Sequence, residues 1–169
     1  MNGWMGAGLL VASLSLAACG FQPLYAERSG VTERLSQVGF VAPESDVGFA
    51  LQQELVNRVG VQPTANNTPY RLEVQVREGR QIAGLRADRA TTRVNLILGG
   101  AYALIDNATG EVVLDGEGRS FVSFDVPDEP YASVIVEFDA RERAVAELAD
   151  QIRGRLAIYF NKTPSSLAS

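Results

Sequence analysis

The fold is decided by the stretch VNLILGGAYAL, residues 94–104, in which apolar residues recur at every second position. This two-residue period is typical of a β-strand that buries one face and exposes the other. The pair Gly99-Gly100 interrupts the pattern and predicts a bulge or a close backbone approach. A similar run precedes the stretch at Tyr70 to Val76, and another follows at Val112 to Phe124. We therefore expect a sheet built around this strand.

The sequence before these runs predicts a short strand and a helix. Residues 35–41 alternate loosely between apolar and polar types. Apolar residues at a spacing of four then predict an amphipathic helix over residues 46–59. Ser45 or Asp46 would be its N-cap, and Gly60 would end it in the left-handed conformation.

The sequence after the third run predicts a long last helix. Asp128 is a suitable N-cap, and Pro130 suits a first helical turn. Apolar residues keep helical spacing from Tyr131 to Phe160. Residues 134–136 are β-branched and would also suit a strand, but the continuous apolar phase favours a helix.

The element order is strand-helix-strand-strand-strand-helix, which predicts an α+β fold. Two helices would pack on one face of a four-stranded mixed sheet. The first strand reaches the second through a helix, so that pair, if adjacent, would be parallel, and the later three would form an antiparallel meander. Residues 79–90 would be a polar, arginine-rich connection between strands. The other sheet face carries Ile97, Ile105 and Val113, which suits contact with a partner.

Composition excludes many kinds of chemistry. The chain has 169 residues, a formal charge of −5, one cysteine and no histidine. It is long enough for about one domain. Ser-His-Asp triads, histidine zinc sites and internal disulfides are excluded, and general nucleic-acid binding is disfavoured by the acidic charge. The acidic residues Asp125, Asp128 and Glu129 lack the spacing of a calcium loop, so we expect no metal, no cofactor and no catalytic site.

The amino-terminal residues have the pattern of a lipoprotein signal peptide. Residues 9–18 form an apolar run too short to span a bilayer of about 30 Å, and the run ends as Leu16-Ala17-Ala18-Cys19-Gly20. This is a lipobox, so Cys19 is the predicted lipidation site, with palmitate typical among its acyl chains. The residue after the cysteine is Gly20 rather than Asp, and Asp there is the usual signal for retention in the inner membrane. Gly20 therefore favours the outer membrane. The segment before the run has no Lys or Arg, although a signal peptide normally begins with a positively charged region. The sequence therefore leaves open whether the true start lies upstream of Met1.

These features divide the chain into four predicted parts. Residues 1–18 are the signal peptide, and residues 19–34 are a lipidated tether of polar character. Residues 35–160 form the single α+β domain, and residues 161–169 are a disordered tail. The lipid chains would hold the protein on the periplasmic side of the outer membrane.

One window of the chain reverses the acidic charge. Residues 77–93 contain five arginines and two acidic residues, for a net charge of +3, whereas the rest contains ten basic and eighteen acidic residues. Arginine can hold a phosphate through two parallel hydrogen bonds. The window therefore predicts either an anion site or a solvated connection between strands.

The segment Cys19-Gly20-Phe21-Gln22-Pro23-Leu24-Tyr25, directly after the lipobox, resembles the lipopolysaccharide-assembly lipoprotein family LptE, also called RlpB. The resemblance covers about residues 16–160, although only this segment is specific. It implies two helices on a four-stranded sheet and no catalysis. It also implies that the protein plugs and helps to assemble the outer-membrane barrel LptD, and that it binds lipopolysaccharide on its way to the outer leaflet.

The resemblance also implies a lipopolysaccharide contact between the second and third strands. The family pattern there is an apolar residue, Arg, any residue and then Asp or Gly. It matches Leu85-Arg86-Ala87-Asp88, which assigns the contact to Arg86. Arg89 and Arg93 are its neighbours and secondary candidates. Some members use a lysine early in the last helix, but this chain has Val136 there, with Arg141 as the nearest substitute.

Two other hypotheses stay open at this point. The chain could be another outer-membrane lipoprotein that serves as an auxiliary subunit of a lipid ABC transporter. It could also be a lipid-anchored enzyme that uses carboxylates. The partner distinguishes the first of these from a barrel plug, and a cleft lined by acidic residues would be needed for the second.

Replacing Cys19 tests the lipobox directly. We expect Cys19→Ala to leave the fold intact and to release the protein from the membrane, because the acyl chains supply the anchor. Membrane fractionation followed by immunoblotting measures the effect, with Ser15→Ala as a control outside the lipobox. Retention of the Cys19→Ala protein on the membrane would contradict the assignment.

Overall fold

The computed structural model describes residues 28–41, 43–60, 64–65, 67–85 and 91–163. The elements are α1 (Arg28–Leu35), β1 (Val38–Val41), α2 (Asp46–Val59), β2 (Tyr70–Leu85), β3 (Thr91–Asp106), β4 (Val112–Asp125) and α3 (Pro130–Lys162). The predicted signal peptide, the lipidation site Cys19 and the arginines Arg86 and Arg89 lie outside the described residues.

The strands form one mixed sheet in the order β1-β2-β3-β4. β1 runs parallel to β2, while β2 and β3 pair antiparallel, as do β3 and β4. The predicted α+β class and its mixed pairing are therefore confirmed. Within the described ranges, no helix is both long and apolar enough to cross a membrane.

Strand alternation directs one set of side chains toward the helices, where they form the core. Residues of β2, β3 and β4 on this helix face pack against α2 and α3. The largest fully buried side chains are Phe40, Leu51, Leu55, Leu72, Leu96, Leu98, Leu104, Leu148, Ile152, Leu156 and Val38. Burial of each such side chain contributes about 1.5–3 kcal/mol, so this layer supplies most of the apolar driving force.

Two glycines let α3 approach the sheet. A Cβ at Gly100 on β3 would lie 3.0 Å from Leu148, and one at Gly118 on β4 would lie 2.7 Å from it. The prediction of a close approach at Gly99-Gly100 is thus correct for Gly100. The predicted bulge is absent there, because the strand register is continuous through both glycines; the irregularities lie at residues 82–85 and 104–105.

Helix α2 begins and ends as its sequence predicts. The Ser45 hydroxyl oxygen accepts a hydrogen bond from the Gly48 backbone N–H at 3.0 Å, so Ser45 is the N-cap. Gly60 closes the helix with φ of 77°, in the left-handed region that favours glycine. The buried side of the helix carries Leu51 and Leu55.

A short helix, α1, occupies part of the predicted polar tether, and β1 accordingly begins at Val38 rather than at residue 35. The guanidinium of Arg34 donates to the backbone oxygens of Phe160 and Thr163, which lie at the carboxyl end of α3. Leu35 is buried in the core. These contacts with distant residues hold α1, and local periodicity gives no sign of them.

The bounds of two other elements also differ from prediction. β2 continues to Leu85, well into the predicted arginine-rich connection, because its backbone pairs with β3 while its polar side chains stay exposed. α3 has Glu129 rather than Asp128 at its N-cap, and it includes the first two residues of the predicted tail, ending at Lys162.

The first turns of α3 expose apolar residues that follow the helical spacing of the sequence. Tyr131, Val134, Ile135 and Phe138 are 51–79% exposed. Burial in α3 instead begins at Ala140. The prediction that residues 134–136 are helical is correct, because α3 runs through them, although its buried side starts only at Ala140. We call the four exposed residues the apolar stripe.

Candidate functional site

The positively charged window divides between the two faces of the sheet. Arg80 lies on the helix face of β2, and Arg77 lies on the opposite face, which we call the open face. Arg93 is exposed near the beginning of β3. Arg86 and Arg89 lie in the part of the chain that the structure does not describe. The described part of the window thus lies at the ends of two strands rather than in a loop.

Arg93 is engaged by a carboxylate of the neighbouring strand. Its Nε donates to the Asp125 Oδ1 at 2.8 Å. This hydrogen bond holds the pKa of Asp125 below its ordinary value and raises the pKa of Arg93 above its own. Arg93 therefore meets an anion with part of its charge already compensated, which makes it a weaker candidate than its position suggests.

Four charged side chains connect β2 to α3 on the helix face. Arg141 holds Glu78 through two parallel hydrogen bonds, from Nε at 2.9 Å and from Nη2 at 3.0 Å. Glu137 accepts from Arg80 at 3.0 Å and from Arg141 at 3.3 Å. This geometry is the paired arrangement that suits a guanidinium and a carboxylate. We call these residues the β2–α3 ion network.

The ion network occupies the guanidinium of Arg141. Its guanidinium is bound to two carboxylates, and its hydrogen bond with Glu78 lowers the pKa of that carboxyl group. Val136, which the resemblance aligns with the lysine that some family members use, is partly buried against the core. Neither residue offers a free cation to a ligand at this end of α3.

The open face contains a trough along its central strands, with a volume of about 790 Å³. Arg77 on β2, Gly99 on β3 and Arg119 on β4 lie side by side across it. The next row toward the β2–β3 connection is Gly79, Ile97 and Phe121. Gly99, which has no side chain, lies in the middle of the trough, and the long side chains of Arg77 and Arg119 line its two sides.

Sequence analysis misses Arg119 and the role of the glycines in this trough. Arg77 and Arg119 both occupy polar positions of alternating strands, which is the only signal that the sequence carries. Their position on either side of Gly99 depends on the register of three strands. That register is set by packing on the other face.

The open face is only partly polar, as its sequence predicts. On it, Ile105 is 6% exposed, Ile97 is half-buried and Phe121 is 54% exposed. Val113, which the sequence also predicts on this face, packs against the core instead, and Val112 pairs with Ile105. The apolar stripe of α3 is a second exposed apolar surface. Among the described residues, no group of three or more His, Cys, Asp or Glu side chains is arranged to hold a metal ion. The exposed apolar surfaces are suited to contact with a partner.

Comparison with known proteins identifies a matching family. The sequence profile of the family LptE, described as lipopolysaccharide-assembly, matches residues 34–156. No curated protein sequence matches the chain.

Solved structures share the fold. The chain is similar to a lipoprotein from Caulobacter crescentus CB15, with 31% identity and a TM-score of 0.69, over 80% of this chain and 99% of that one. It is also similar to the uncharacterized lipoprotein B of Nitrosomonas europaea, with 16% identity and a TM-score of 0.57, over 74% and 84%. The rare lipoprotein B of Shewanella oneidensis matches at 13% identity with a TM-score of 0.53, over 72% and 92%.

The ion network predicts a pH-dependent contribution to stability. Because the pKa of Glu78 is lowered in the folded state, its contribution is complete above the unfolded value and is lost as pH falls through the folded value. We expect Glu78→Gln to lower the free energy of unfolding by about 1 kcal/mol at pH 7 and by much less at pH 3.

Urea unfolding at the two pH values measures this difference. Asp139→Asn is the matched control, because it removes the partner of Arg143 from a pair whose side chains are 54% and 61% exposed. The control should change stability little at either pH. An equal loss for Glu78→Gln at pH 7 and pH 3 would show that the charge of Glu78 is not what stabilises the fold.

Proposed function

The chain belongs to the lipopolysaccharide-assembly family LptE, and from this membership we propose that it acts as a plug of an outer-membrane barrel. In this proposal, acyl chains on Cys19 anchor the protein to the periplasmic side of the outer membrane. The domain fills and helps to assemble the barrel LptD. It binds lipopolysaccharide during transport to the outer leaflet and performs no catalysis.

One observation carries the proposal, namely the family match over residues 34–156. It extends from the end of α1 through the sheet and along most of α3. The match therefore covers the whole layered domain rather than a single motif. The similarity to a lipoprotein over 99% of that relative's length supports the assignment, because it leaves little of the relative unaccounted for.

The two exposed apolar surfaces favour enclosure by a partner. Phe121 on the open face and Phe138 on the apolar stripe of α3 are each more than half exposed. Exposed apolar surfaces of this kind mark interaction sites when they are contiguous. A partner that covers only one side of the domain would leave one of the two in water, whereas a barrel lumen can cover both.

For lipopolysaccharide we propose Arg86 as the main contact, with Arg89 and Arg93 as neighbours. Arg86 directly follows the last residue of β2, so it belongs to the connection at the far end of the β2–β3 hairpin. The described arginines nearby, Arg80 and Arg93, are bound to carboxylates. This favours the connection itself as the place where cationic charge is available to phosphate groups.

Co-purification tests the barrel partner. We expect the tagged protein to elute from detergent-solubilised outer membranes together with one stoichiometric protein of the size of a large barrel, identified as LptD by mass spectrometry. Elution with inner-membrane transporter subunits would instead favour the auxiliary-subunit hypothesis. Elution without any partner would contradict the plug.

A charge reversal at Arg86 tests the lipopolysaccharide contact. We expect Arg86→Asp to weaken lipopolysaccharide binding about tenfold, since one charge-assisted contact with phosphate is lost. Thermal stability should stay the same, because the residue lies in a connection between strands. Arg143→Asp on α3 is the control with the same change of charge. Equal binding by the Arg86→Asp and control proteins would remove Arg86 from the site.

A further inference from the structure

The trough on the open face has features that folding does not explain, and we propose that it binds the phosphate group of an amphiphile. Arg77 and Arg119 would hold the phosphate above Gly99. Ile97 and Phe121 would contact the adjoining apolar part. This assignment rests on the geometry of the open face and not on the connection that carries Arg86. Within the proposed barrel, the ligand would lie between this face and the barrel wall.

The two arginines of the trough have no partner inside the described part of the chain. Neither the Arg77 nor the Arg119 guanidinium makes a hydrogen bond or ion pair with any described residue. The other arginines that point from the open face are satisfied, since Arg71 pairs with Glu73 at 2.9 Å and Arg93 pairs with Asp125 at 2.8 Å. Among the described arginines of the open face, Arg77 and Arg119 are therefore the two that remain available.

The positions of these arginines suit a shared anion. Arg77 pairs with Gly99 across one strand boundary, and Gly99 pairs with Arg119 across the next. Two strand spacings place their backbones about 10 Å apart, and long side chains can close that distance from both sides. A phosphate between them could accept parallel N–H donors from each guanidinium.

The glycines of the trough are not required by packing within the chain. A Cβ at Gly99 would meet nothing closer than the Arg77 backbone oxygen at 3.9 Å, and one at Gly79 nothing closer than the Ile97 backbone oxygen at 3.9 Å. Gly100 and Gly118, on the helix face, are by contrast needed for Leu148. Glycine weakens a strand interior, so two unneeded glycines indicate a surface that something approaches closely.

The surroundings of the arginines favour an amphiphile over a free anion. On one side of the arginine row lie Ile97, half-buried, and Phe121, 54% exposed. On the other side lies the exposed carboxylate Glu117. The carboxylate disfavours a second anionic group there, so the apolar part of the ligand is directed over Ile97 and Phe121. A volume of about 790 Å³ is within the usual range for a small-ligand site.

Titration of the full-length lipidated protein in detergent tests the site. The probes are phosphatidic acid in mixed micelles, phosphatidylcholine in the same micelles, and inorganic phosphate. We expect saturable binding of phosphatidic acid, at least tenfold weaker binding of inorganic phosphate, and weak binding of the zwitterionic lipid. Inorganic phosphate binding as tightly as phosphatidic acid would overturn the amphiphile assignment.

Three variants locate the binding. The double variant Arg77→Ala with Arg119→Ala should lose at least tenfold in affinity for phosphatidic acid. The control Arg143→Ala with Arg153→Ala removes the same charge from exposed positions on α3 and should change affinity less than twofold. Gly99→Val should also lose at least tenfold while its melting temperature is unchanged or higher, because valine fills the trough and favours a strand.

The outcomes separate this proposal from the barrel plug. Wild-type affinity in the double variant would overturn the trough as a phosphate site, whatever co-purifies with the protein. If the Gly99→Val protein binds phosphatidic acid with wild-type affinity, the ligand does not lie above residue 99. A dimer in solution that buries Arg77 and Arg119, detected by light scattering and cross-linking, would assign the face to a second copy of the chain instead.

Discussion

The contact of Leu148 with Gly100 and Gly118 is the constraint on which the rest of the structure depends. It seats α3 directly on β3 and β4, at a distance that any larger side chain at either glycine would oppose. Once this distance is set, the buried side chains of the strands can interlock with α3. Gln151 adds a polar complement, because its side-chain amide accepts from the Arg119 backbone N–H at 3.0 Å and donates to the Arg119 oxygen at 2.8 Å. The helix thereby also occupies one point on the exposed edge of β4.

This seating makes the two faces of the sheet unequal. The helix face is filled, and its charged residues Glu78 and Arg80 are bound by α3. The open face has no covering layer among the described elements. A Cβ at Gly79 or Gly99 would meet only a backbone oxygen of the neighbouring strand, at 3.9 Å. Side chains alternate between the two faces of a strand, so the neighbouring residues Gly99 and Gly100 lie on opposite faces. Gly100 lets α3 approach the helix face, whereas Gly99 lines the trough on the open face.

The sequence predicts the fold well where the signals are local. The capping and stop residues of α2, the parity of the strands and the parallel first pair all follow from nearby residues. It fails where the decisive partner is distant. The length of β2 depends on backbone pairing with β3, α1 depends on the Arg34 contact with the end of α3, and burial in α3 begins only at Ala140. Periodicity predicts the helix correctly but does not show that its first turns stay exposed.

The same limit applies to the candidate sites, and it determines which arginines are available to a ligand. The window of residues 77–93 has a net positive charge in sequence, but carboxylates from β4 and α3 reach Arg93 and Arg80 from far along the chain. A charged side chain that already holds a carboxylate gains less from an incoming anion, because binding would exchange one partner for another. Charge in a sequence window is thus a weak guide to anion binding, and the pairing of each guanidinium is a stronger one. By that criterion Arg77 and Arg119 are favoured among the described arginines of the open face, although one lies at the edge of the window and the other lies outside it.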